Sequence, residues 1–258
     1  EKLKYLTSKI EVKNLILNYE GIPYQNFIAR DLKKVNKKIN VIGYLHCAPW
    51  PIQLDLIYKD QPLDRLLVSG YQQKNVLTKY LGWAQKKIDV IPSLRFRKKR
   101  NKEFNGYIFI PYNLKKNNDY LVRLKKYFSR NKTKNIFNYK VRIHPLNTSS
   151  KIHLDFKKDC EDLLTKYPKT KNKKISDVSL FFGSATGVCI QALEEGTKII
   201  HFPNDENLDV FCPKIWKTIN TEKVDEKIYS YKIKKKNYTF LANYEKNKFN
   251  KYLTPILR

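Results

Sequence analysis

Short apolar, β-branched runs alternate along this chain with longer stretches of helical periodicity. That alternation predicts an α/β fold. The runs NLILNY (14–19), INVIGYL (39–45), DRLLVSG (64–70) and KKIDVIP (86–92) predict four strands. Residues 23–37 read as a helix opened by Pro23, since proline suits a first helical turn, and 71–81 as a helix ending near Gly82. The intervening CAPWPIQLDLIY is irregular, with Pro49 and Pro51 blocking a helix start. A second series follows: a strand at GYIFIPY (106–112), a helix over 116–130, and a strand at YKVRIHP (139–145). After a lysine-rich helix and loop come VSLFFGS (178–184), a helix over 185–195, TKIIHFP (197–203) and an amphipathic tail over 238–253.

Residues 93–104 are charged and poorly periodic and read as a join. The expected architecture is therefore two Rossmann-like domains facing across a cleft, 1–103 and 104–258. The chain starts at Glu1 and contains no Met, so it reads as a fragment whose first domain lacks upstream strands. No run of 18 apolar residues predicts a transmembrane helix, and no signal peptide is recognised. Four cysteines (Cys47, Cys160, Cys189, Cys212) show no C-x-x-C spacing, and Cys47 and Cys189 read as small buried hydrophobes. A reduced, cytoplasmic setting is expected.

Charge changes the picture. Lysine and arginine number 52 against 24 acidic residues, a net +28. Such an excess suits an anionic partner: nucleic acid, a nucleotide-linked substrate, an acidic polymer or an anionic membrane surface. It also suits AT-rich coding, because Lys, Asn, Ile and Tyr are all abundant and the lysines are dispersed. The densest basic run, 95–102, falls in the expected join.

Several polar residues fall where predicted strands end, the edge at which parallel α/β sheets bind ligands. His46, His144 and His201 close three strands, and Glu20 closes a fourth. Glu20, followed by Gly21, could serve as general base toward a sugar hydroxyl, or could simply start the next helix. His46 ends the neighbouring strand and could share that site. Pro145 fixes His144 in an extended conformation, so the imidazole can meet a phosphate or act as a strand stop. In FFGSATGVCIQALEEG (181–196) a strand runs through Gly183, Ser184, Thr186 and Gly187 into a helix. Small and hydroxyl residues at a helix N-terminus suit phosphate, although Ser184 is also an ordinary N-cap type. The run is neither a Walker A loop nor a nucleophile elbow. No metal is expected, since Cys47 beside His46 lacks a second ligand pair. Asp205, Glu206 and Asp209 read as a solvated loop cluster.

These residues resemble the GT-B type transferases of bacterial surface-carbohydrate synthesis that use CMP-activated acidic sugars, namely the polysialyltransferases and capsule Kdo transferases. In the polysialyltransferase group two acidic residues and a Gly carry the general base, and an HP motif with a downstream Ser/Thr motif holds the CMP-sugar. Tyr19-Glu20-Gly21 matches the first motif in its last two positions, His144-Pro145 matches the second, and Ser184 with Thr186 falls where the third would be. The stretch YEGIPYQNFIARDL…INVIGYLH also resembles segments of surface-carbohydrate biosynthesis proteins. The resemblance spans roughly 14–203.

The resemblance implies a metal-independent glycosyltransferase at the cytoplasmic face of the membrane, with anionic lipid as a peripheral contact. The first domain would take an anionic glycan or glycolipid acceptor, with Glu20 as base. The second would bind a nucleotide-sugar, CMP-linked, through His144, Pro145 and the 183–187 turn, with no cofactor beyond that donor. Two other classes remain: a basic nucleic-acid-binding protein, against which the dispersed lysines and missing binding motifs weigh, and a non-catalytic nucleotide-sugar-binding module.

Overall fold

The computed structural model describes residues 5, 12–46, 51–93, 106–114, 119–131, 139–167, 179–182, 187–194, 196–234 and 253–256. The basic run 95–102, Cys47 and nearly all of the amphipathic tail lie outside them. The chain is a mixed α/β protein that divides into two compact units, Glu1–Lys99 with Asn237–Arg258, and Arg100–Lys236.

Unit 1 carries a parallel sheet in the order β1-β2-β3-β4: Asn14–Asn18, Asn40–Tyr44, Arg65–Val68 and Ile88–Val90. The register of β1 on β2 runs from Asn14↔Asn40 to Asn18↔Tyr44, and the Tyr19 N–H donating to the Tyr44 carbonyl extends it by one residue. Val41, Ile42, Leu66, Leu67 and Val68 are buried, as a parallel sheet covered on its faces requires. Helix α1, Pro23–Val35, buries Gln25, Ala29 and Leu32, one face at i, i+4 and i+7. Helix α2, Tyr71–Tyr80, precedes β4. The irregular connection from β2 to β3 is pinned by buried Trp83, whose indole N–H donates to the Leu56 carbonyl at 2.7 Å, and by the Tyr58 N–H to the Leu81 carbonyl, also 2.7 Å.

The linear division of the chain at 103/104 needs one correction. The C-terminal segment does not stay with the second series. Leu253 and Ile256 pack on Ile42, Tyr44, Leu67 and Ile91 of unit 1. The physical reason is apolar burial: that patch of the first sheet is covered by the returning chain end.

Unit 2 has six strands in the order β6-β5-β7-β8-β10-β9. Strands β5 (Tyr107–Phe109), β6 (Lys140–Arg142), β7 (Ser179–Phe182) and β8 (Lys198–His201) are mutually parallel. Strands β9 (Ile219–Asp225) and β10 (Ile228–Ile233) form an antiparallel hairpin added beyond β8. Helix α3, Tyr120–Asn131, contributes Tyr120, Leu124, Tyr127 and Phe128 to the core, and α4, Lys151–Thr165, contributes Phe156, Cys160, Leu163 and Leu164. Helix α5, Gly187–Glu194, follows β7. The acidic cluster is ordered rather than merely solvated. Asp205 caps the short helix α6, Glu206–Asp209, by accepting from the Asn207 and Leu208 N–H groups, and Glu206 pairs with Lys223.

One strand-end histidine departs from expectation. His201 is the last residue of β8, yet it is fully buried rather than presented to a ligand. The β10 strand pairs with β8 opposite it, and the His201 Nδ1 lies 3.0 Å from the Tyr231 hydroxyl. Burial, and secondarily the positive charge of Arg123, push its pKa from 6.5 down to about 3. The imidazole is neutral in the folded protein, whereas the unfolded chain protonates it below 6.5. Between those values the unfolded state binds more protons, so stability present above pH 6.5 is lost as pH falls toward 3, by at most about 1.4 kcal/mol per pH unit. His201→Leu should flatten the dependence of denaturant-derived stability on pH between roughly 6.5 and 4. Equal slopes in the variant and the parent would assign the acid sensitivity to other groups.

Candidate functional site

In each unit the parallel strands place their carboxyl ends on one edge. In unit 1, Glu20 and His46 follow the ends of the adjacent strands β1 and β2 and come together there. The His46 Nε2 is 3.3 Å from the Glu20 Oε1, and both side chains are about 30% exposed (31% and 30%). The His46 Nδ1 is buried and has no hydrogen-bond partner among the described residues. With Nε2 directed at the carboxylate and Nδ1 shut away from solvent, the pair is built to hold Glu20 in place.

Local sequence explains how Glu20 is held. The side chain of Gln25, in the first turn of α1, reaches back over the turn. Its Oε1 accepts from the Glu20 N–H at 2.9 Å and the Ile22 N–H at 3.2 Å, and its Nε2 donates to the Asn18 carbonyl at 2.9 Å. The Glu20 carbonyl accepts from the Gln53 amide at 2.9 Å. The backbone on both sides of the carboxylate is therefore fixed by side chains from α1 and from the β2–β3 connection. Tyr19, which stands one position before the carboxylate, alternates to the other face. It is fully buried, bonds Asn26 at 2.8 Å, and is pushed up to about 12 by desolvation. It serves the core.

In unit 2 the strand order 6-5-7-8 has one consequence for ligands. From β5 the chain moves to one side to make β6, then crosses to the other side to make β7. The connections leaving β5 and β7 at the carboxyl edge diverge, and that is the topological switch point at which open α/β sheets take their ligands. Tyr112 lies just beyond β5, and α5 begins at Gly187 after β7. The intervening Gly183, Ser184 and Thr186 lie outside the described residues.

His144 stands beside this crevice, two residues after β6. Its backbone is extended (φ −62°, ψ 138°) ahead of Pro145, which opens a short 3-10 turn, Pro145–Asn147. Its Nδ1 accepts from the Leu146 N–H at 3.2 Å, which leaves Nε2 as the outward nitrogen, and its ring meets the Tyr112 ring edge-to-face at 4.9 Å. His153 joins them at the Tyr112 carbonyl. This buried imidazole lies 2.8 Å from the Ser150 hydroxyl and 3.1 Å from the Tyr112 carbonyl. The Asn147 amide donates to the same carbonyl at 2.9 Å. His153 and Asn147 thereby lock the end of β5 to the His-Pro turn. The only cue to His153 in the sequence is a polar residue on the buried stripe of α4, the face that also carries Phe156 and Cys160.

Among the described residues no cluster of three His, Cys, Asp or Glu could hold a metal ion, and no helix is long and apolar enough to cross a membrane.

A scan against protein-family models found no match, and a search of curated proteins found none either. The Glu20 turn is tightly constrained. Gly21 has φ +82°, and a Cβ there would fall 2.1 Å from the Asp55 carbonyl oxygen. Gly21→Ala should cost about 1–3 kcal/mol, from left-handed backbone strain and displacement of the Asp55 loop. Equilibrium denaturation measures it, and an unchanged midpoint would show that the turn relaxes freely.

Proposed function

We propose that the protein is a glycosyltransferase of the GT-B kind. It would bind a nucleotide-sugar, CMP-linked by the resemblance of its motifs, in unit 2 and activate an acceptor hydroxyl in unit 1. The observation that carries this reading is the Glu20–His46 pair, a clamped carboxylate at the ligand edge of a parallel sheet. In this reading Glu20 takes the proton from the acceptor oxygen as that oxygen attacks the anomeric carbon. The bond from that carbon to the donor phosphate oxygen breaks, and the nucleotide leaves with the electron pair. In this reading His46, with its Nε2 3.3 Å from the Glu20 Oε1, keeps the carboxylate oriented. The leaving phosphate would sit at the β5/β7 crevice, where the outward Nε2 of His144 can donate to it. Ser184 and Thr186, in the sequence joining β7 to α5, are the proposed hydroxyl donors, with Gly183 and Gly187 allowing close approach. Neutralising the leaving charge with hydrogen-bond donors is a recognised alternative to a metal ion. Surface-polysaccharide synthesis at the cytoplasmic face of the membrane is the proposed setting.

The test uses two variants and two readouts. Glu20→Gln keeps the shape and the His46 contact but cannot accept a proton. Transfer from a CMP-sugar donor should fall about 10²–10⁴-fold with nucleotide affinity nearly intact. His144→Ala should do the reverse in part, weakening nucleotide affinity, while its half-buried position beyond the end of β6 keeps the loss of thermal midpoint to a few degrees. Full transfer by Glu20→Gln would remove Glu20 from the chemistry. Normal nucleotide affinity in His144→Ala would remove His144 from the donor site.

A further inference from the structure

Four residues at the His144-Pro145 turn close a circuit of hydrogen bonds. The Ser150 N–H donates to the Asn147 carbonyl at 3.1 Å, and the Ser150 hydroxyl lies 2.8 Å from His153 Nδ1. His153 Nε2 lies 3.1 Å from the Tyr112 carbonyl, and the Asn147 amide donates to that same oxygen at 2.9 Å. A carbonyl oxygen only accepts, so the neutral His153 ring carries its proton on Nε2, and its Nδ1 accepts from the Ser150 hydroxyl. Two donors, one from α4 and one from the turn, thus converge on a single oxygen just beyond β5.

The fold alone does not call for an imidazole at this position. His153 is 6% exposed and lies on the buried stripe of α4 with Phe156 and Cys160. A leucine of similar size would fill the same place. It would leave the Tyr112 carbonyl its Asn147 donor, and it would leave the Ser150 hydroxyl at a half-buried position within reach of water. An apolar side chain would not, however, tie α4 to the end of β5.

That tie bears on His144. Two contacts orient its ring: the Leu146 N–H donating to Nδ1 at 3.2 Å, and the Tyr112 ring edge-to-face at 4.9 Å. The first belongs to the turn and the second to the segment that follows β5. They act on one imidazole from two stretches of chain, and the ring keeps one orientation while those stretches keep their register. The circuit joins the two stretches and so bears on where the outward Nε2 points. A misplacement of about 1 Å can cost a positioned group about 10²-fold in its effect.

We propose that His153 is a positioning residue for His144. Through the Tyr112 carbonyl it holds the orientation in which the His144 Nε2 meets its ligand. Both of its own ring nitrogens are taken up inside the circuit, so it acts through His144 and not on the ligand. The inference rests on the transferase reading only for the identity of that ligand, a nucleotide phosphate. The hold on the ring stands on the hydrogen bonds alone.

The experiment is calorimetric titration of the full chain with CMP. His153→Leu removes both ring nitrogens at similar volume. His153→Gln offers an amide N–H to the Tyr112 carbonyl and an oxygen to the Ser150 hydroxyl. His153→Leu should weaken CMP binding about tenfold, the size of one net hydrogen bond, and His153→Gln should recover to within about threefold of the parent. In a His144→Ala background His153→Leu should cost nothing further, because the ring it acts through is gone, whereas independent sites give additive losses. Asn147→Ala removes the other donor to the same carbonyl and should reproduce the loss, which decides the matter if His153→Leu does not fold. Unchanged affinity in His153→Leu or Asn147→Ala, no recovery in His153→Gln, or an equal loss with and without His144 would each overturn the proposal. A parent protein that does not bind CMP would sink the donor-site reading instead. The nitrogen-15 spectrum of the His144 imidazole then decides on His153 without a ligand. The parent should show the single tautomer protonated on Nε2, and His153→Leu a mixture. The same single tautomer in both would overturn the proposal.

Discussion

Strand β5 pairs in parallel with β6 on one side and β7 on the other, and both partners come later in the chain. A parallel neighbour cannot be reached by a tight turn. Each pairing needs a crossover that returns the chain to the starting edge. Because β6 lies on one side of β5 and β8 lies beyond β7 on the other, the connections leaving β5 and β7 at the carboxyl edge diverge. Tyr112 follows β5, the His144-Pro145 turn follows β6, and α5 begins beyond β7. Buried His153 and Asn147 tie two of these together through one carbonyl oxygen, so that neither the turn nor the end of β5 can shift alone.

Unit 1 solves a different problem. Its strands follow one another in order, so no crevice is opened by topology among the described strands. The polar group at its edge is positioned by hydrogen bonds instead. One glutamine satisfies the backbone on both sides of the turn, a left-handed glycine reverses the chain, and a histidine from the next strand meets the carboxylate. A net contribution of about 1 kcal/mol for each bond is modest singly, but all of them fall on Glu20 or within two residues of it.

The periodic parts of this fold were legible in the sequence. The eight parallel strands fall within the predicted runs, because buried parallel strands are short, apolar and β-branched, and the Pro23 helix start is local chemistry. Glu20, His46 and His144 were legible as residues at strand ends. Their partners were not, because register and contact between distant segments leave no periodic trace. The β9–β10 hairpin was missed because INTEKVD is mostly polar, the signature of a solvated edge rather than a core strand. His201 was misread for a related reason. Without β10 it ends an open strand, and with β10 it becomes interior. The return of Leu253 and Ile256 to the first sheet is a long-range apolar contact that a linear division of the chain cannot foresee.

The hairpin bears on the protein's charge. A sheet ending at β8 would present KIIH, an apolar strand with an unpaired row of peptide groups, and such a row invites pairing with another chain. Strand β10 takes up that row, and the new margin is β9, which carries Glu222 and Lys223 outward. The opposite margin is β6, where Lys140 and Arg142 are both exposed. Each border of the sheet thus ends in a strand that costs an incoming chain the desolvation of charged side chains. Part of the lysine and arginine excess is in this way a guard against self-association, acting whether or not the protein ever meets an anionic partner.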